Sequence, residues 1–540
     1  MARSISNRLY DKSKRVYTLM SQKDIEAEKK SYWSELEIRG PIKNLSPELW
    51  TFTHLTSLFL NDNNLQRIPP DIANLKFLQT LDLSGNKLRS LPAELGDMTH
   101  LRELLLNNNT LRVLPYEIGK LFLLQILGLS GNPLQPDILS MSNEVNGTSK
   151  LITFLLDNLT PPQQPPPDRE WIQLSRRNRQ RVPANFTVMS YNVLCDKYAT
   201  RQMYGYCPSW ALAWEYRKSA LLKEILDSTA DIIALQEVET DQYYSFFLPE
   251  LREQGYEGIF SPKSRARTMG ERDRKLVDGC AIFWHKSKFT LIEKYLMEFN
   301  QLAVAHAEGS EAMLNRVMPR DNIGIAVLLE MKNVNGIHLP PQHFLVANAH
   351  IHWDPEFADV KLIQTIMLMN ELDTIIMRAQ GERGIGYKSP SPGMPGIPIV
   401  MCADLNSLPD SSVLQYLMEG RIPIDHPDLR DYGYEGFLAR FSESVRPGMR
   451  SPVGKPELFH QFKLKHAYYE NQLPYTNYTY EFKGVIDYVF YSSNYLSPLG
   501  LLGPVSTEWL EANKVIGCPN PHFPSDHFPL LCEFEILNAP

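Results

Sequence analysis

With 540 residues, 43% of them apolar and 22% charged, the chain has the composition of soluble globular protein and room for several domains. A formal charge of −7 excludes a broadly basic nucleic-acid coating protein, so any phosphate substrate has to be handled locally, by metal and a few basic groups. Six cysteines without CxxC spacing imply no structural zinc, no secretory signal is visible in the polar start, and no apolar run approaches the roughly 18 residues of a membrane span, so a cytoplasmic protein is expected, with the nucleus as a second compartment.

Residues 1–32 are polar, with Lys12, Lys14 and Arg15 close together, and are expected as a solvated extension. A repeat of period 23 then takes over. Leu55, Leu58, Leu60, Asn63 and Leu65 recur as Leu78, Leu81, Leu83, Asn86 and Leu88, and twice more through Asn109 and Asn132. The pattern LxxLxLxxNxL is that of leucine-rich repeats, in which leucines stack into a continuous core and the asparagine bonds backbone at the turn. Residues 33–50, with Leu36 and Ile38, read as a degenerate first cap and 150–159 as a closing helix, so the repeat domain spans 33–159. Between the repeat leucines, Phe59, Asp82, Leu105 and Gly128 face the concave side, where exposed apolar groups suit a protein partner.

A proline-rich run at 161–167 and a basic run at 176–181 make residues 160–181 a linker. From 182 to 540 apolar strands alternate with helical stretches such as 214–228 and 359–379, which argues a layered α/β fold. A Gly-, Pro- and Ser-rich stretch at 381–396 is expected as a surface loop.

Six apolar segments of this part carry an acid, amide or imidazole at or beside the strand. The strand beginning at Phe186 ends in Asn192, and the run from Asp231 to Ala234 leads to Glu237. Val346 and Ala347 lead to His350, and Ile399 and Val400 lead to Asp404, with Asn406 two residues on and expected on the same side by alternation. Val485 and Ile486 precede Asp487, and Ser525, Asp526 and His527 close the set. Open α/β sheets keep their chemistry at strand ends of this kind.

The ordered set Asn192, Glu237, His350, Asp404, Asn406, Asp487, Asp526 and His527 resembles the endonuclease/exonuclease/phosphatase superfamily over residues 182–540. The resemblance implies a DNase-I-like four-layer α/β sandwich. Leucine-rich repeats joined to such a domain, with Ser-Tyr-Asn-Val-Leu at 190–194, His-Trp-Asp-Pro at 352–355 and Ala-Asp-Leu-Asn-Ser-Leu-Pro at 403–409, look like the Ccr-type catalytic subunits of the Ccr–Not deadenylase complex. That family shortens mRNA poly(A) tails in the 3′→5′ direction and releases 5′-AMP.

The resemblance implies one or two Mg²⁺ ions, with Glu237, Asp404 and Asp526 as the metal-side carboxylates and Asp404 activating water. Asn192 and Asn406 would hold a carboxylate or phosphoryl oxygen without adding repulsion. His350 and His527 would donate to developing charge, with Asp487 fixing the tautomer of His527. It also places a base-stacking ring at Phe482, an amide at Asn477 and a lining proline at Pro355, and puts Asp273 where relatives carry a substrate-facing Glu. The implied partners are the poly(A) tail, a Caf/Pop-type deadenylase subunit docked on the repeats, and other Ccr–Not subunits. Hydrolysis of a phospholipid, an inositol phosphate or abasic DNA remains open as an alternative, as does an adaptor with an inactive nuclease-like half.

Overall fold

A computed structural model describes residues 33–162, 164–175, 185–307, 309–332, 342–385, 396–443, 457–468 and 472–537. Lys12, Lys14, Arg15, the basic run 176–181 and most of the loop expected at 381–396 lie outside these. The chain divides into two compact units, 1–159 and 160–540. No helix among the described residues is long and apolar enough to cross a membrane.

In the first unit the 23-residue period becomes a parallel sheet, β1 (Glu35–Glu37), β2 (Ser57–Phe59), β3 (Thr80–Asp82), β4 (Glu103–Leu105) and β5 (Ile126–Gly128), in chain order. Leu58, Leu60, Leu81, Leu83, Leu104 and Leu106 are fully buried. Each repeat asparagine stitches two repeats together. Asn86 Nδ2 donates to Leu60 O at 2.9 Å and Leu83 O at 3.0 Å, while its Oδ1 accepts from Leu65 N at 3.0 Å. Asn109 and Asn132 repeat the pattern one and two turns on. The expected cap at 33–50 supplies the first strand, and helices α1 (Pro136–Asn143) and α2 (Gly147–Asp157) close the other end, the second starting earlier than leucine spacing suggests. The concave face is less open than expected: Phe59 and Leu105 are half-buried and Asp82 is fully buried.

The second unit holds two large sheets. One runs in the order β6 (Trp171–Gln173), β21 (Leu496–Leu502), β22 (Leu530–Ile536), β7 (Asn185–Asn192), β8 (Ile232–Glu239), β10 (Asp278–His285), β9 (Tyr256–Pro262). The other runs β11 (Phe289–Glu298), β12 (Ile323–Met331), β13 (Gln342–His350), β14 (Ile399–Asp404), β20 (Asp487–Ser492), β17 (Leu464–His466). Two small ribbons, β15 (Arg421–Pro423) with β16 (Glu457–Phe459) and β18 (Asn477–Tyr478) with β19 (Lys483–Gly484), complete it. Strand β6 falls inside the stretch expected as linker. It pairs with β21, and Arg169 just before it donates to Gly503 O at 2.6 Å and Pro529 O at 2.7 Å, so that stretch is built into the sheet.

Alternation sorts the strands into layers. Phe186, Val188, Ile232, Ala234, Phe344, Val346, Val400 and Cys402 fill the space between the sheets. Met189, Tyr191, Ile233 and Leu235 pack outward, in one cluster with Leu221 and Ile225 of α3 (Trp214–Asp227). Leu345, Ala347, Ile399 and Met401 pack outward on the other side, in one cluster with Ile363, Ile366 and Met367 of α4 (Ala358–Arg383). The result is the expected four-layer sandwich, helix–sheet–sheet–helix.

Candidate active site

The space between the sheets turns polar toward one end. Gln236 continues the inward series of Ile232 and Ala234, and Asn348 that of Phe344 and Val346. Gln236 Nε2 donates to Asn348 Oδ1 at 2.7 Å, and Asn348 Nδ2 reaches Leu235 O and Ala281 O at 2.9 Å each, so this tier is hydrogen-bonded across the gap between the sheets. The next tier holds the chemistry. His350 pairs with Asp404 in register and Asp404 with Asp487, placing three functional groups on one rung of one sheet. Asn192 ends β7 in the facing sheet, paired with Gln236.

Glu237 would point to the helical side if β8 were regular. Gly279 pairs with Val238 and Ala281 with Leu235, so Gln236 and Glu237 together face Cys280 in a bulge, and Glu237 takes a left-handed φ of 56°. A bulge re-aims the side chain that follows it. Glu237 thereby joins Gln236 on the inner side, and Asn192 Nδ2 donates to both Glu237 Oε1, at 3.2 Å, and Asp404 Oδ2, at 2.9 Å.

His527 Nδ1 meets Asp487 Oδ2 at 2.8 Å, and its Nε2 stands 3.8 Å from Asp404 Oδ2. Burial works against charge on this imidazole, but Asp487, Asp526 and Asp404 outweigh it and hold its pKa well above the ordinary value. His350 Nε2 lies 3.7 Å from the same Asp404 oxygen, yet burial and Lys263 push its pKa down to about 4, so it is neutral at pH 7. The two histidines flanking this carboxylate are therefore pushed in opposite directions, His527 up by its acidic neighbours and His350 down by burial. Burial, then Asp487, raises the Asp404 carboxyl, and burial with Asp278 lifts Glu237 to about 7.

Other expected site residues fall at varying removes. Asn406 leaves the strand with a left-handed φ of 46°, so it does not share the alternation of Asp404. Its N–H donates to Asp404 Oδ1 at 3.1 Å and its Nδ2 to Ile351 O at 3.0 Å, which fixes the turn after β14. Asp526 Oδ2 accepts from Tyr204 OH at 2.9 Å and Asn477 Nδ2 at 3.2 Å, while its buried Oδ1 has no hydrogen-bond partner. Phe482 is 37% exposed and leans over Gly484, where an added Cβ would come 2.7 Å from the ring. Pro355 is exposed at the head of a single turn, Pro355–Phe357. Asp273 is exposed on the short helix Glu271–Lys275, and none of the side-chain hydrogen bonds just described reaches it.

Several contributors escape a sequence reading. Thr476 Oγ1 donates to Asp487 Oδ2 at 2.6 Å and accepts from the Asp487 and Ile486 N–H groups at 3.0 Å. Asp278, fully buried, holds Lys263 and Arg265 at 2.7 Å each, and although burial would raise its pKa these two cations keep it down to about 2. The available signal was Gly279 beside it, where a Cβ would come 2.0 Å from Ser261 O. Tyr204 carried no signal, since only the fold brings it to Asp526.

One ligand atom each of Asp404, Asp487 and His527 lies within 4.8 Å of the others. Asp487 already serves His527 and Thr476, so this trio is better suited to orienting an imidazole than to enclosing an ion. The carboxylates of Glu237 and Asp404, which also accept from Asn192, together with the unpartnered Asp526 Oδ1 make a hard donor set that suits Mg²⁺.

Residues 189–527 match the Endonuclease/Exonuclease/phosphatase family, and residues 42–132 match a leucine-rich repeat region. The CCR4-NOT transcription complex subunit 6-like of Danio rerio is 56% identical over 527 residues, 97% of this chain and 93% of that one. The CCR4-Not complex 3′-5′-exoribonuclease subunit Ccr4 of Schizosaccharomyces pombe is 43% identical over 555 residues, 96% of this chain and 76% of that one. Among solved structures, ANGEL2, a 2′,3′-cyclic phosphatase in complex with adenosine-2′,3′-vanadate, superposes with a TM-score of 0.51 at 28% identity, covering 68% of this chain and 98% of that one.

Proposed function

The chain belongs to the endonuclease/exonuclease/phosphatase family, among the Ccr4-type subunits of the CCR4-Not complex, and on that premise we propose that it is a Mg²⁺-dependent 3′→5′ exoribonuclease that shortens poly(A) and releases 5′-AMP. The observation that carries the reading is the pairing of His527 with Asp487 at 2.8 Å, aimed at Asp404 and flanked by Glu237 and Asn192. Glu237, with Asp404 and Asp526, would hold the ion, which when bound supplies a Lewis acid for the phosphoryl oxygens.

The chain's own groups divide the remaining work. Asp404, its pKa raised by burial and Asp487, orients the attacking water and takes its proton. His527, held as imidazolium by Asp487, donates to the charge that develops on phosphorus-bound oxygen, and neutral His350 adds a hydrogen bond without a second full charge. Asn192 keeps the Glu237 and Asp404 carboxylates apart and in place through one amide. Asn406 sets the turn that fixes Asp404.

Backbone chemistry of this kind does not read bases. The exposed Phe482 ring, with Pro355, supplies a surface that can select adenine by stacking, while Asn477 is buried and donates to Asp526 Oδ2, so an edge contact from it would use the rest of its amide. The repeats carry the association with a Caf/Pop-type deadenylase subunit and the rest of the complex. Six buried cysteines, none in a disulfide, suit a reducing compartment, and we propose a cytoplasmic protein with access to the nucleus.

Glu237→Ala in the purified full chain tests the site. Hydrolysis of oligo(A) should fall by about 10³-fold or more while the melting temperature holds, because the change removes a buried acid whose ionisation opposes folding. Wild-type rates in that variant would sink the assignment.

A further inference from the structure

At the rim of the site one basic side chain is not spent by the fold. Arg316 makes a two-pronged pair with Asp359, Nε to Oδ2 at 2.7 Å and Nη2 to Oδ1 at 2.8 Å, under the rings of Phe357 and Tyr432. Asp321 is taken by Arg265 at 2.6 Å. Arg320, between them in sequence, rests its guanidinium 4.2 Å from the Phe357 centroid, and among the described residues nothing accepts a hydrogen bond from its side chain, although its Nε is buried. His352 packs on the same ring, centroids 5.3 Å apart, is 5% exposed, and has a buried Nε2 with no hydrogen-bond partner. The nearby Asp354 carboxylate is engaged by Glu356 N at 2.9 Å.

Strands β12 and β13 pair through Ile323 and His350. Arg320 and Trp353 each lie three residues beyond that pair, at the end of the sheet that carries Asp404. Trp353 is 68% exposed, unusual for an indole with no partner surface to cover it. An unmet guanidinium and an unmet imidazole nitrogen on one aromatic ring, beside an open indole, match a phosphate followed by a base, with the imidazole proton on Nε2 when the phosphate is bound.

An exonuclease seated on a free 3′-OH has a single phosphate adjacent to the one it cleaves, the linkage upstream. Resting on the exoribonuclease reading, we infer that Arg320 and His352 Nε2 hold that upstream phosphate and that Trp353 stacks on the base beyond it. This makes a subsite for the nucleotides that stay on the RNA, apart from the groups that do chemistry. Arg320 is a positioning residue in it.

The test is equilibrium binding by the full chain in EDTA, where no turnover occurs, using decaadenylate and a twin carrying a neutral methylphosphonate in the linkage upstream of the last one. Wild type should bind the twin about tenfold more weakly, the size of a charge-assisted contact. Arg320→Ala should bind decaadenylate close to the level wild type shows for the twin and narrow the gap between the two ligands to what the His352 contact alone supplies. Its slope of log affinity against log salt should drop by about 0.7, one phosphate contact on a single strand. Arg320→Lys should recover much of the loss, and Trp353→Ala should weaken both ligands several-fold without changing the slope.

The subsite is refuted if Arg320→Ala leaves decaadenylate binding unchanged, or if its penalty adds to that of the methylphosphonate. A wild type that binds decaadenylate with this pattern but does not hydrolyse it with Mg²⁺ supports the subsite and sinks the exoribonuclease reading alone.

Discussion

Thr476 is a threonine that a sequence reading passes over, yet its hydroxyl holds Asp487 from one side while His527 holds it from the other. Removing that hydroxyl leaves the Asp487 carboxylate free to turn. Thr476→Val should therefore lower kcat about tenfold with KM little changed, the cost of one lost hydrogen bond to a charged group, as steady-state kinetics on oligo(A) would show. An unchanged kcat would mean that His527 alone fixes Asp487. The same scale holds the base contact. Phe482→Ala should reduce cleavage of oligo(A) more than of oligo(U), and Gly484→Ala, whose Cβ would meet the ring at 2.7 Å, should move the preference the same way. An unaltered A-to-U rate ratio in both would assign base choice elsewhere.

A further residue ties stability to pH. Burial raises the Glu224 carboxyl to about 7, against the opposing hydrogen bond from Tyr191 OH at 2.6 Å. A raised carboxyl favours the folded state while protonated, so its contribution is whole below about 4.5 and is lost as pH rises through about 7. Glu224→Gln keeps the acceptor and removes the charge. Its melting temperature should exceed that of wild type by a few degrees at pH 8 and match it at pH 4, and an equal shift at both would show that ionisation is not involved.

Among elements, the repeat unit was the most legible, because leucine at a fixed period has one structural solution and the asparagine position declares the turn. Asn86→Ala removes the bonds donated to Leu60, Leu83 and Ser84 O and leaves Leu65 N without its acceptor. It should cost about 1–3 kcal/mol in a melting transition of the repeats and leave nuclease rates unchanged. Asp487 opens its strand, β20, whereas the strand ends carrying Asn192, His350 and Asp404 could be read from apolar runs stopping at polar residues. The inward turn of Glu237 could not, because it depends on a bulge set by β10, and neither could the turn at Asn406.

The start of the nuclease unit was hidden for a related reason. Three residues of β6 are too few to show alternation, and their partner β21 lies more than three hundred residues away. A fragment beginning at residue 182 loses that edge strand and the Arg169 anchor. It should melt several degrees below a fragment beginning at 160, and equal melting temperatures would show that β6 adds nothing to the sheet.

For the whole molecule, a net charge of −7 means that polyanionic substrate is held locally: Lys263 and Arg265 are paired with acids, and Arg320 is the rim cation left for it. Under the proposed division of labour, chemistry in residues 160–540 and association in the repeats, residues 160–540 alone should degrade oligo(A) while losing capture of a Caf/Pop-type subunit. The central claim is that this sandwich removes nucleotides singly from a 3′ end. It is tested most directly by following 5′-labelled oligo(A) with purified protein and Mg²⁺. A ladder shortening by one nucleotide at a time, with 5′-AMP as the released product and no ladder when the 3′ end is blocked, is the expected result. Internal fragments appearing from the first turnover, or intact oligo(A) beside a fully folded enzyme, would contradict it.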